Sequence, residues 1–308
     1  MVPRLSPAPQ TPGDAIRPFR IETLPVRGRI VHLDATASEI LAKHDYPAAV
    51  SALLAEALAL CALLGGALKY DGVFSLELRG EGPIRFLVAD MTNEGAMRGY
   101  VQYDESALAP IMGAGFSGSL PRLFGSGYLA FTVDQGPETE RYQGVVELEG
   151  ETLADCAHAY FRHSEQIPTG LKLAAAGSAS SWRVAGLMVQ WLPGEGGRGE
   201  RAELGQEPEA WRRVVALMSS ARSEEMLDPA LSDEALLYRL FHEDGVRVYR
   251  PHPVGFACRC SRSRAARILA QLPRQEIAEL AVDGRLEVTC QFCNTVEIFD
   301  AADFGVSA

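Results

Sequence analysis

Four of the six cysteines of this 308-residue chain fall in two short stretches, "FACRCSRSR" (256–264) and "VTCQFCNTV" (288–296). The spacing is Cys-x-Cys at Cys258 and Cys260, then Cys-x-x-Cys at Cys290 and Cys293. Residues i and i+2 of an extended segment point to one side, so the first pair can share a target. A Cys-x-x-Cys knuckle likewise turns both sulfurs inward. Four thiolates at tetrahedral corners suit Zn²⁺, and a site closed by four protein ligands is structural rather than hydrolytic. The first pair is unusual, because zinc ribbons normally carry two Cys-x-x-Cys knuckles. Other uses of the thiols fit less well. Permanent disulfides belong to oxidising compartments. A thioredoxin-like dithiol wants its knuckle at a helix N-terminus, whereas "NTVEIF" (294–299) reads as strand. Four unrelated buried thiols would leave the clustering unexplained. Arg259, Arg262, Arg264 and Arg267 crowd the first pair; they either favour thiolate over thiol or form a solvated helix face.

Three parts of the chain must position these residues. Residues 18–203 mix hairpin-like strands at 72–80, 84–91, 97–104, 141–150 and 181–193 with helices at 48–68 and 151–166. Hairpins interspersed with helices, without a steady βαβα rhythm, predict an α+β core domain. Residues 204–250 read as two short amphipathic helices, with Trp211, Val214, Val215 and Met218 on one face and Leu236, Leu237, Leu240 and Phe241 on the other's. Such a helical linker must lean on a neighbour to bury both faces. Residues 251–308 form a small module with helices at 262–272 and 273–284, the second opened by Pro273 and stopped by Gly284, then two strands around the knuckle. A module of about sixty residues has a marginal core and wants a staple. Structural zinc supplies on the order of 10–16 kcal/mol in small domains, so the residues alone read as a zinc-stapled redox switch.

Net charge is −11 and the pI about 5.1, which argues against gripping nucleic acid phosphates or an anionic membrane. Residues 1–17, rich in proline, read as a loose tail without the apolar core of an export signal, so a cytoplasmic location is expected. The apolar run 48–68 is long enough to span a bilayer, yet Glu56, Gly65 and Gly66 interrupt it, and a buried core helix is the expectation. "GEGGRG" (194–199) matches a dinucleotide fingerprint but follows Pro193 and precedes a poor helix; it reads as a boundary loop. "GFSGS" (115–119) is not a nucleophile elbow. His158 and His163 lack metalloprotease spacing, and Cys61 and Cys156 read as small core residues. No P-loop is present. A zinc-ribbon nucleic-acid binder and a thiol-disulfide oxidoreductase remain as alternative functions.

The pairs "FACRCS" and "VTCQFCN" resemble the zinc centre of the bacterial redox-regulated holdase chaperones, the thirty-three-kilodalton heat-shock class. "LKYDGVFSLELRGEGPIRFLVADMTNEGAMRGY" (68–100) and "YQGVVELEGETLADCAHAYFRHSEQIPTGLKLA" (142–174) are similar to two further stretches of that family. The resemblance implies a non-enzymatic, ATP-independent chaperone for unfolding client proteins. It implies one Zn²⁺ per chain on Cys258, Cys260, Cys290 and Cys293 in a reduced, inactive form. Under oxidants it implies disulfides Cys258–Cys260 and Cys290–Cys293, loss of zinc, unfolding of the module and linker, and an active homodimer. Glu297 stands where the family tends to place an aromatic residue. "SEQIPT" (164–169) is part of the resemblance with no chemistry of its own.

Overall fold

A computed structural model of the chain describes residues 13–111, 119–136, 139–178, 181–192 and 208–306. The chain divides into two compact units, Met1–Phe256 and Ala257–Ala308. The first begins with β1 (Ala15–Ile21), β2 (Val26–His32), α1 (Asp34–Leu41), α2 (Ala48–Gly65), β3 (Val73–Gly80), β4 (Ile84–Thr92) and β5 (Ala96–Tyr103). It continues through α3 (Glu105–Leu108), α4 (Leu120–Phe124), β6 (Gly127–Asp134), β7 (Tyr142–Glu147), α5 (Leu153–Tyr160), β8 (Thr169–Ser178) and β9 (Ser181–Trp191). Helices α6 (Glu209–Ser220), α7 (Ser223–Met226) and α8 (Asp233–Phe241) follow, and then short strands β10 (Val246–Val248), β11 (His252–Pro253) and β12 (Gly255–Phe256). The second unit holds α9 (Arg262–Leu269), α10 (Arg274–Leu280), β13 (Arg285–Thr289) and β14 (Val296–Asp300). The α+β class is that expected from the sequence.

Two sheets enclose α2. One runs β10-β1-β2-β9-β8, with β11 also on β1; the other runs β12-β5-β4-β3-β6-β7. A helix apolar on all sides is a buried helix. Here α2 is the one described helix long and apolar enough to cross a membrane, and 78% of it is buried inside the fold. Both sheets approach it through glycine: a Cβ at Gly99 of β5 would meet Leu54 at 2.9 Å, and one at Gly186 of β9 would meet Leu63 at 2.8 Å.

The opposite face of the first sheet is covered by α6–α8. Phe19, Val26, Ile30, Leu187 and Val189 are buried there against Trp211, Val214, Met218, Leu237 and Phe241. Trp211 meets Trp191 edge-on at 6.1 Å, and Phe241 stacks on Phe19 at 5.9 Å. The Phe19 ring lies across Gly28, where a Cβ would come within 2.1 Å of it. The helices thus lean on this sheet, as their two amphipathic faces require.

Some expectations are corrected. The tail expected over 1–17 is already strand from Ala15; Pro18 concealed this, but it falls between the β1 residues that pair with β11 and those that pair with β10, where a missing N–H is tolerated. Residues 1–12, the boundary at 203/204, "GEGGRG" and residues 115–118 of "GFSGS" lie outside the described residues. The helix expected over 151–166 starts at Leu153, with a capping box between Thr152 and Asp155, and widens into a π turn at Phe161–Glu165. Gly284 does not stop a helix: α10 ends at Leu280, and Asp283 and Gly284 form a left-handed turn into β13.

Helix α8 is anchored by charge at its N-terminus. Asp233, the first helical residue, accepts from Arg17 Nε at 2.9 Å, and His32 Nε2 lies 2.9 Å from its other oxygen. Burial pushes the His32 pKa down, but Asp233, with Asp34 and Asp14 adding, outweighs it and the net shift is upward. Asp233 is depressed because His32 and Arg17 offset the cost of its burial. A raised histidine stabilises fully below its unfolded pKa and loses that contribution as pH rises through its folded value. Docking of α8 is therefore expected to weaken as pH rises through the folded His32 pKa, above the ordinary value near 6.5. Hydrogen exchange of α8 amides, corrected for intrinsic rates, checks this. Asp233→Asn should flatten the dependence, and a wild-type profile that is already flat would exclude the anchor.

Candidate metal centre

In the second unit Leu269, Ile277, Leu286, Phe299 and Ala301 form the buried core. The β13–β14 hairpin closes on Thr289 opposite Val296, and the knuckle is its loop. The Cys290 carbonyl accepts from the N–H groups of Cys293 at 3.3 Å and Asn294 at 2.8 Å, while Cys290 N–H donates to Thr295 at 2.9 Å. Asn294, at φ 56°, supplies the left-handed step that closes the turn. Cys258 and Cys260 lie in the segment just before α9, whose first turn is capped by Ser261 accepting from Arg264 N–H.

All four sulfurs lie within 4.8 Å of one another. Cys258 and Cys290 are 3.7 Å apart, Cys260 and Cys293 3.4 Å, and all four are free thiols. A tetrahedral ion with metal–sulfur bonds of about 2.3 Å places its ligands about 3.8 Å apart; a disulfide would need about 2.05 Å. The spacing and the donor set both fit a four-thiolate ion, and the four cysteines could hold one.

Burial raises the thiols of Cys258 and Cys260, with neighbouring thiols adding to the rise at Cys260. At Cys293 burial also raises, but hydrogen bonds from Thr295 and the contacts of Cys260 and Cys258 outweigh it and bring the pKa to about 7. The arginines do other work. Arg262 pairs with Glu297 at 3.1 Å and lies over the Phe299 ring at 4.2 Å. Arg264 donates to the Arg259 carbonyl at 3.1 Å. The charge at Glu297 therefore clamps α9 to β14 through Arg262, in place of an aromatic contact. The knuckle is followed by strand β14, not by the helix N-terminus that thioredoxin-like chemistry needs.

Other residues singled out in the sequence belong to the first unit. Cys61 and Cys156 are fully buried, their thiols donating to the carbonyls of Ala89 and Glu149, and burial pushes Cys156 up to about 11. His158 is half-buried and His163 exposed. "SEQIPT" gains a structural role that sequence reasoning missed. Glu165 accepts hydrogen bonds from the hydroxyls of both Tyr142 (2.5 Å) and Tyr160 (2.6 Å), and Gln166 turns the chain at φ 53°.

Two outcomes are expected of the thiols. In the reduced, metal-free folded chain an alkylating reagent should modify Cys258, Cys260, Cys290 and Cys293, leaving Cys61 and Cys156 until denaturant is added, as peptide mass mapping reads out. Cys290→Ser should weaken metal binding by more than the roughly 10–100-fold that loss of an outer-shell partner costs, measured by chelator competition. Unchanged affinity would remove Cys290 from the ligand set.

The model of the family described as Hsp33 protein matches residues 14–300. A 33 kDa chaperonin of Caulobacter vibrioides is 40% identical over 292 residues, covering 93% of this chain and 95% of its own. One from Pseudomonas fluorescens is 38% identical over 292 residues, covering 94% and 92%. The crystal structure of the 33 kDa chaperonin (heat shock protein 33 homolog) from Thermotoga maritima shares the fold, with a TM-score of 0.77 at 24% identity over 94% of this chain and 96% of that one. With matches that run from the first strand through the four cysteines to β14, this chain belongs to the Hsp33 family.

Proposed function

We propose that this protein is a redox-regulated, ATP-independent chaperone that holds unfolding proteins and prevents their aggregation. The observation that carries the reading is the cluster of four free thiols in a unit whose core, among the described residues, consists of five buried side chains. So small a core supports little stability by itself. Cys258, Cys260, Cys290 and Cys293 would hold one Zn²⁺, which, when bound, contributes its binding free energy to folding of the unit. The relatives' name, 33 kDa chaperonin, agrees with the activity.

Oxidation acts on the ligands themselves. Each disulfide, Cys258–Cys260 and Cys290–Cys293, forms as two thiols give up two electrons and two protons, peroxide being reduced to two waters. Sulfurs joined at about 2.05 Å cannot keep tetrahedral spacing and no longer donate as thiolates. The small unit then loses its staple. In this reading residues 204–250 act as a latch: the stretch α6–α8 leaves the first sheet and uncovers Phe19, Val26, Ile30, Leu187 and Val189 as apolar surface for clients. A homodimer of the oxidised chain and a reducing compartment such as the cytoplasm belong to the same reading.

The test follows metal and protection together. During peroxide treatment at elevated temperature, a chromogenic chelator should report one zinc per chain released as the protein begins to suppress aggregation of a heat-unfolded client. Reductant with zinc should reverse both. Trp211→Ala, which removes a buried side chain worth about 3–5 kcal/mol, should lower the oxidant dose needed. Zinc release without protection would reduce the cysteine unit to a structural staple, and an unchanged dose for Trp211→Ala would exclude α6 from the latch.

A further inference from the structure

The first unit contains a cavity of about 150 Å³ that the chaperone reading does not use. That volume equals a cavity known to admit one benzene ring. Its apolar wall includes Phe74, Phe131 and Phe161, all buried. Tyr160 meets Phe131 edge-on at 4.6 Å and Phe161 at 5.4 Å. The geometry is one in which a further ring finds edge-to-face neighbours.

The polar groups lie on two sides. On one, Glu165 Oε1 accepts from the Tyr142 and Tyr160 hydroxyls. On the other stands Arg27 of β2, whose Nε donates to Gln190 Oε1 at 3.3 Å. Gln190 is itself buried and donates onward to Thr169. Arg27 forms no ion pair among the described residues, and its remaining guanidinium N–H groups are unclaimed. Burial pulls the Arg27 pKa down, as it does for a cation lacking a counter-charge. The wall near Glu165 is a π turn ended by the left-handed Gln166, the kind of irregular backbone that concentrates at functional sites.

We propose that this cavity binds a one-ring aromatic carboxylate, the ring seated among Phe74, Phe131 and Phe161 and the carboxylate paired with Arg27. The guanidinium fork matches a planar carboxylate, and an anion relieves a half-buried cation. The site is separate from the thiols, and its occupancy does not depend on the chaperone reading. A free arylcarboxylate and the C-terminal phenylalanine of a peptide share this chemistry.

The probe is 3-(4-fluorophenyl)propionate, followed by fluorine NMR with the full reduced, zinc-loaded chain. Saturable binding at one site is expected, weakened at least about tenfold, or 1.4 kcal/mol, in Arg27→Gln and abolished in Ile167→Trp, which fills the cavity. Circular dichroism checks each variant; where Arg27→Gln does not fold, Ile167→Trp and the neutral amide of the probe carry the test. Displacement by 3-phenylpropionate but not by Gly-Gly-Phe identifies a free metabolite-sized ligand, and displacement by both admits chain ends. Absence of saturable binding, equal binding of the amide, or full affinity in Ile167→Trp would overturn the proposal.

Discussion

The burial of α2 on every side is the constraint on which the larger unit depends. A helix with no polar stripe has to be covered all round, and one sheet cannot do that. Two sheets are therefore needed, and each must come close. Gly99 and Gly186 permit the approach, because at both positions a side chain would collide with a leucine of α2. Once the first sheet has spent one face on α2, its other face is still apolar. Phe19, Ile30, Leu187 and Val189 then need a second cover, which α6–α8 provide. The linker helices are thus the far end of a chain of requirements that begins at Ala48–Gly65.

The two units are stabilised by different means. In the larger, stability comes from area: long ladders, a continuous core around α2, and aromatic contacts such as Trp191–Trp211. In the smaller, five buried side chains among the described residues and a two-stranded hairpin stand beside four sulfurs that lie within 4.8 Å of one another. Reactive side chains are likewise unevenly placed, with four part-buried thiols in the smaller unit and two fully buried ones in the larger. That contrast makes a thiol reagent selective for one part of the molecule, since Cys61 and Cys156 sit in the resistant part.

Much of this was legible in the sequence, for reasons tied to particular residues. The alternation of Phe74, Leu76 and Leu78, or of Leu87, Ala89 and Met91, marks half-buried strands directly. The cysteine spacing points to the four sulfurs that the fold brings within 4.8 Å of one another. Strands β1 and β8 were hidden, the first by Pro18 and the charges of Arg17 and Arg20, the second by "AAAGS", which has no strand signature. The Arg17 charge makes sense only once Asp233, more than two hundred residues on, is brought beside it. Glu165 was opaque in the same way, because its partner Tyr142 comes from strand β7, before α5. Short-range pattern shows which elements form; it does not show which polar group a distant element will satisfy.

The last residues before the thiols are fastened in a particular manner. Val246–Val248 and His252–Pro253 add to β1 of one sheet through three and two residues, and Gly255–Phe256 adds to the edge of the other through two. At Gly95 the carbonyl of Pro253 comes so near that a side chain would meet it at 2.3 Å. Each ladder is worth a few backbone hydrogen bonds, roughly 0.5–1.5 kcal/mol apiece, against a core many times stronger. The segment is in effect a row of three snap fasteners on a garment. A pull transmitted along the backbone from Ala257 would open them one after the other, from Phe256 inward, before any seam of the core felt the load.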